Sequence, residues 1–182
     1  MSNYREQFVA AIARTTAHKM NVVDVVLQRE VTPIPTEYGA GVAEIYERLV
    51  QGYLRLNPAE AVRKCLPISL AVQQELVVLL KTPLLLTIGT VEVASGEQVW
   101  PISEPYFENM ASSGSFHAWL TTPSLEIVDF TFHAAYRYPR GGSAHGAVPI
   151  IAFPDTLSRN RWCPIFVGQE AGLTLLARLA GL

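Results

Sequence analysis

The chain has only two cysteines, Cys65 and Cys163, and they lie far apart. That excludes a disulfide-stapled scaffold or a zinc ribbon and fits a reducing compartment such as the cytoplasm. No pair of ligating residues stands at the tight spacing H-x-x-x-H or C-x-x-C, so neither a metal nor another cofactor is called for. Charge is sparse as well. Only 16% of residues are charged and the formal net charge is −2, which gives nucleic acid or an anionic membrane no surface to bind. Long apolar runs are also missing. The most apolar pieces, 76–80 and 84–88, are separated by Lys81 and Pro83 and fall well short of the roughly 20 residues of a membrane helix. The first six residues lack the charged start, apolar core and cleavage site of a signal peptide. There is no internal repeat and no low-complexity segment.

What remains is a 182-residue chain with 49% hydrophobic residues, enough for one soluble, cytoplasmic globular domain with a full core. Phe8, Ala11, Ile12 and Thr15 recur at helical spacing and predict a helix over 7–19. A valine-rich run over 22–27 fits helix or strand equally. The prolines of Thr32-Pro33-Ile34-Pro35-Thr36 end that segment. Ile45, Leu49 and Tyr53 predict a helix over 42–56, and Asn57-Pro58-Ala59-Glu60 carries the N-cap, proline and glutamate of a further short helix. Residues 1–56 thus read as a helical N-terminal subdomain packed on a main body over 57–182.

Pro67 cannot sit deep in a helix, so the next helix starts at Lys64-Cys65-Leu66-Pro67 and runs to about Leu80. Ile68, Val72, Leu76 and Leu79 form its apolar face, and Cys65 falls at its N-terminus. A strand over 84–93 follows, then a turn at Ser95-Gly96-Glu97 and a polar connection over 100–113 without clear period. Further strands are expected over 148–153 and 165–167, and a closing helix over 169–182 with Leu173, Leu176 and Leu179 inward. The small, glycine-rich stretch 140–146 reads as a mobile surface loop. The fold class is α+β, an antiparallel sheet packed against the helix that bears Cys65.

The most informative stretch is 114–131. Two β-branched and aromatic runs flank Thr122-Pro123-Ser124, the pattern of a hairpin with a short loop. With a three-residue loop over 122–124 the pairing centres on Pro123, and His117 stands directly opposite Asp129. Opposed residues share a face with Cβ atoms about 4.5–5.5 Å apart, the reach an imidazole needs to donate to a carboxylate. A one-residue slip would send the two groups to opposite faces. An acid so placed fixes the histidine tautomer and favours its protonated form. Cysteine is nucleophilic as thiolate, which a helix N-terminus and a nearby histidinium both favour. The spacing therefore puts Cys65, His117 and Asp129 forward as a thiol triad.

Lys64-Cys65-Leu66-Pro67-Ile68-Ser69-Leu70-Ala71, Phe116-His117-Ala118-Trp119 and Ile127-Val128-Asp129-Phe130-Thr131 together resemble the transglutaminase-like branch of the papain-like thiol enzymes. Within it the chain is most similar to the bacterial proteins that include the leader peptidases of lasso-peptide maturation. The resemblance spans residues 57–132. It implies Cys65 as nucleophile, His117 as base and Asp129 as orienting acid. It further implies attack on a peptide or amide carbonyl of a peptide or protein substrate through a thioester, with water or an amine as acceptor. No glutamine directly precedes Cys65, and Gln51 belongs to another predicted helix, so the Cys65 backbone N–H and a second donor would hold the oxyanion. The connection over 96–115 is a candidate lid or substrate-facing insertion.

Blander readings compete. The trio can be structural in a non-catalytic binding module that keeps the fold. Trp119 is a candidate substrate-binding wall, with sheet packing as its alternative. His133, two positions past Thr131, would share a face with Asp129 if the strand continued, and would then complete a metal site with Cys65, His117 and Asp129. Arg137 and Arg140 can hold an acidic substrate group or be solvated. Cys163 reads as core, and His18 and His145 carry no role.

Overall fold

The nine residues of β1 (Leu85–Val93) are nearly all buried, and the rest of the sheet is hung on them. The computed structural model describes residues 3–23, 27–28, 32–52, 64–142 and 148–182. β1 pairs antiparallel with β2 (Gln98–Val99), β3 (His117–Thr121) and β6 (Asn160–Val167). β3 pairs with β4 (Ile127–Asp129), and β4 with β5 (Ile150–Ala152). The order is β2-β1-β3-β4-β5, with β6 on β1, so the class is α+β with an antiparallel six-stranded sheet. A strand burying both faces needs apolar residues at odd and even positions alike, which the Leu-Leu-Leu-Thr-Ile start of this region supplies.

The two faces carry different layers. Leu86, Ile88, Ala118, Leu120 and Val128 face a core shared with α2 (Gly39–Ile45), α3 (Cys65–Leu80), α4 (Tyr106–Ser113) and α6 (Gln169–Leu179). Leu85, Val91, Trp119, Ile127 and Trp162 face the other way and are covered by Tyr4, Phe8 and Ala11 of α1 (Tyr4–Ala17). Residues 1–56, expected as one helical subdomain, thus place α1 and α2 in separate layers of the same sheet. No described helix is long and apolar enough to cross a membrane.

α1 begins a turn earlier than its apolar period suggests, because Asn3 and Glu6 form a reciprocal capping box. Thr15 then ties it to the sheet by accepting the Val167 N–H at 2.9 Å. The helix expected over 42–56 starts earlier, at Gly39, and passes after Ile45 into a π-helical turn, Tyr46–Gln51. Its end at 53–56, the short helix at 57–60 and part of the valine run lie outside the described residues.

α3 starts at Cys65 with Pro67 in its first turn, and the Ile68 N–H reaches the Lys64 carbonyl at 2.9 Å. Two features depart from the sequence reading. The connection over 100–113 contains α4, an amphipathic helix with Phe107 and Met110 buried, opened by Pro105 and closed by Gly114 at φ 64°. In α6 the buried positions are Ala171, Gly172 and Leu175; Leu176 packs half-buried against the core as expected, whereas Leu173 and Leu179 are exposed. Small residues win there because α6 lies nearly flush on the core: a Cβ at Gly172 would sit 2.4 Å from Leu86 Cδ2.

Gly89 marks the tightest approach. It faces His117 across β1–β3 and stands at the register shift of β1 against β6. A Cβ there would lie 2.1 Å from the Cys163 carbonyl oxygen and 3.0 Å from the Trp119 ring. Since backbone cannot step aside as a side chain can, Gly89→Ala should destabilise the fold by about 3 kcal/mol. Urea unfolding checks this, and a loss below about 1 kcal/mol would contradict the packing described.

Candidate active site

The hairpin that carries the site turns one residue later than the sequence suggests. Its loop is Pro123–Leu125: the Thr122 N–H donates to the Glu126 carbonyl and the Leu125 N–H to the Thr122 carbonyl, both at 2.9 Å. Leu125 takes the left-handed position of this three-residue loop, at φ 71°, where glycine is usual and would have signalled it. The strands consequently pair Leu120 with Val128 and Thr121 with Ile127. Extending that register sets Asp129 opposite Trp119, not opposite His117. Moving the centre by one shifts the pairing by two, so direct opposition is lost but the shared face is kept.

The two side chains still meet, diagonally, with His117 Nε2 2.7 Å from Asp129 Oδ2 and both fully buried. Asp129 gathers three further donors. The Trp162 indole N–H reaches Oδ2 at 2.9 Å, and the backbone N–H groups of Thr131 and Phe132 reach Oδ1 at 3.0 and 2.9 Å. The last two cap α5 (Phe132–Arg137), so the strand ends at Asp129 instead of continuing. His133 therefore leaves on a helix, half-buried, and does not extend the strand face as the metal reading required. Among the described residues no three His, Cys, Asp or Glu side chains group as for a metal ion.

The charges follow from this geometry. Burial alone would push the His117 pKa down, but the Asp129 charge and hydrogen bond, with a smaller contribution from the Cys65 thiol, hold it well above 6.5. Burial would raise the Asp129 carboxyl, yet His117, Trp162 and the Thr131 N–H keep it below 3.8. Around neutral pH this is an ion pair. His117 lies between aromatic faces: Trp100 is stacked at 4.5 Å and 7° between planes, Trp119 lies at 6.0 Å and 26°, and Phe132 presents its edge at 6.0 Å.

Cys65 comes to the same strand end from the other layer. It is 5% exposed at the head of α3, and its thiol donates to the Phe116 carbonyl at 3.8 Å, beside the first residue of β3. The thiol faces the imidazole closely enough to favour its charged form. His117 Nδ1, buried, makes no hydrogen bond of good geometry. The three proposed triad residues are thus brought together.

Trp119 is not an open wall. It is 0% exposed, and its indole N–H donates to Tyr4 Oη at 2.9 Å, so it contacts α1 and not a substrate path. That bond opens a buried relay. Thr87 donates its one hydroxyl proton to the Leu85 carbonyl at 3.3 Å, so it accepts from Thr121 at 2.8 Å, and Thr121 in turn accepts from the Tyr4 hydroxyl at 3.0 Å. Cys163, expected in the core, is half-buried on β6, and burial pushes its thiol up. Arg140 lies over Tyr136 and pairs with Glu97. Arg137 is exposed, and His18 packs on Phe107 and Phe166. His145 and most of the glycine-rich loop lie outside the described residues.

Sequence reasoning missed Trp162, Trp100 and Phe132. A tryptophan destined for burial needs an acceptor for its N–H, and Trp162 in a strand-like run was the one signal available.

The pair sets a pH dependence of stability. His117 has a raised pKa, so its contribution is complete below 6.5 and is lost as pH rises through the higher folded value. Asp129 has a lowered pKa, so its contribution is complete above 3.8 and is lost as pH falls through the lower folded value. The plateau runs between those limits. His133, whose pKa burial lowers, acts with the opposite sign as pH falls. Comparing wild type with Asp129→Ala isolates the pair: the variant should lose about 3–5 kcal/mol on the plateau and a smaller amount at alkaline pH. Equal losses in urea melts at both pH values would refute the ion pair.

No family model, curated protein or solved structure matches this chain, so what it does must be read from its own geometry.

Proposed function

We propose that the protein is a thiol-dependent hydrolase or acyltransferase that acts on a peptide or amide bond through Cys65, His117 and Asp129. The observation that carries this reading is the divided imidazole. Nε2 is committed to Asp129, while the buried Nδ1 makes no hydrogen bond of good geometry and the thiol that opens α3 acts on the ring at short range. A histidine serving only as a core group would be expected to satisfy both nitrogens.

In this chemistry Cys65 reacts as the thiolate paired with the His117 imidazolium, and the sulfur attacks the substrate carbonyl carbon. The tetrahedral intermediate collapses as the carbon–nitrogen bond breaks and the imidazolium returns its proton to the departing amine. A thioester on Cys65 remains. Water or a second amine then attacks the thioester, the neutral His117 takes up the attacker's proton, and the sulfur leaves as the thiolate beside the renewed imidazolium. Asp129 keeps its charge throughout and holds the imidazolium in place. The Cys65 backbone N–H, at the first position of α3, is one donor for the oxyanion. The resemblance to transglutaminase-like thiol enzymes, and within them to leader peptidases, is in keeping with a peptide or protein substrate.

The rival is a non-catalytic binding module with the same trio, and the complete burial of His117 speaks for it. Alkylation by iodoacetamide in a Cys163→Ser background separates the two. With a Cys–His pair, His117→Ala should slow the reaction of Cys65 near neutral pH by about tenfold or more and change the shape of its pH profile. Equal rates and profiles with and without His117 would leave the binding module.

A further inference from the structure

We propose that Trp100 is a positioning residue for His117: its indole lies flat on the imidazole, fixes the ring plane and keeps water from the His117–Asp129 hydrogen bond. The proposal deepens the thiol-chemistry reading and rests on it for its effect on rate.

Three rings surround the imidazole. Trp119 and Phe132 are buried and anchored from behind, Trp119 by its bond to Tyr4 and Phe132 by the cap that Asp129 gives its backbone. Trp100 alone of the three is partly exposed, and it makes the closest and flattest contact, 4.5 Å between centroids at 7°. The imidazole on which it lies is itself fully buried. A second, independent feature is its backbone. Trp100 adopts φ 60°, a left-handed conformation unfavourable for a bulky side chain and further disfavoured by the following Pro101. Such strain persists where surrounding structure over-determines it, and it concentrates at functional positions. Here it comes directly after β2, which is held to Val91 and Glu92 of β1, and the residue is compensated by its ring stack.

The chemistry favours a tryptophan. The charged groups facing the imidazole are Asp129 from β4 and the Cys65 thiol from α3, with His133 of α5 and Tyr4 of α1 acting more remotely on Asp129. With its protonated form favoured, His117 presents a cation to an indole face, the best aromatic partner for one. A tilt of the imidazole out of its plane would weaken its bond to Asp129 and break the flat contact with Trp100 together.

Two readouts test this. The first is fluorescence, since a stacked imidazolium quenches indole emission. His117→Gln, which keeps a donor for Asp129, should brighten the parent protein near neutral pH and should brighten a Trp100→Phe background much less. Equal brightening in both would overturn the proposal. The second is Cys65 alkylation in the Cys163→Ser background, with thermal melts to confirm folding. Trp100→Leu keeps an apolar cover without a π face and should slow the reaction about tenfold, whereas Trp100→Phe should restore it to within about threefold of the parent. Leu and Phe variants that behave alike would also overturn it. If alkylation ignores His117→Ala while the fluorescence coupling persists, the thiol chemistry fails and Trp100 still positions His117.

Discussion

A single buried carboxylate ties the architecture together. Asp129 accepts from His117, from Trp162 and from two backbone N–H groups. Those bonds join β3, β4, β6 and the start of α5 at one point. A carboxylate out of water is tolerable only when its lone pairs are met and its charge is paired. Asp129 meets both conditions and in doing so ends its own strand. Its removal would strand a buried imidazolium, an indole N–H and the first N–H groups of a helix together, so these elements stand or fall as one.

The rest of the site follows from what lets the three chain segments approach. Gly89 opposite His117 leaves room for the Trp119 ring and for the Cys163 carbonyl. Behind Trp119, the hydroxyls of Tyr4, Thr121 and Thr87 form a chain of defined direction that pins α1 to the sheet. On the other face, Ser69 of α3 donates to the Ala118 carbonyl at 3.1 Å, which fixes the helix along β3. Cys65, one turn earlier, is thereby placed at the strand end where His117 begins. The Cys65 thiol and the His117 imidazole come from opposite layers and meet at the end of β3.

Much of this was legible in the sequence. The α+β class, the helix opening at Cys65 and the meeting of His117 with Asp129 follow from a proline in a first turn and from the parity of a hairpin. Parity is robust because a shift of two residues returns a side chain to the same face. The register was not legible, because the residue in the left-handed loop position is Leu125 and not the glycine that would mark it. The inward face of α6 was read correctly only at Leu176: large leucines at 173 and 179 suggest burial, whereas Ala171 and Gly172 permit the close contact. α4 was legible in hindsight from Pro105, Glu108 and Gly114 as start and stop signals. The aromatic surroundings of His117 were not, since Trp100, Phe132 and Trp162 come from three separate segments that only the fold brings together.

The energetic balance of the trio is itself an argument for chemistry. An apolar set of similar volume would generally serve a core as well as a buried ion pair, or better. Here the ion pair comes with a buried imidazole nitrogen that makes no hydrogen bond of good geometry, a thiol turned to a backbone carbonyl and a left-handed tryptophan before a proline. Each departs from what stability alone would select, and all three lie on or beside His117. Departures scattered through a molecule would mean little. Gathered on one residue, beside a well-satisfied carboxylate, they single out His117 as an imidazole whose orientation is fixed next to a thiol.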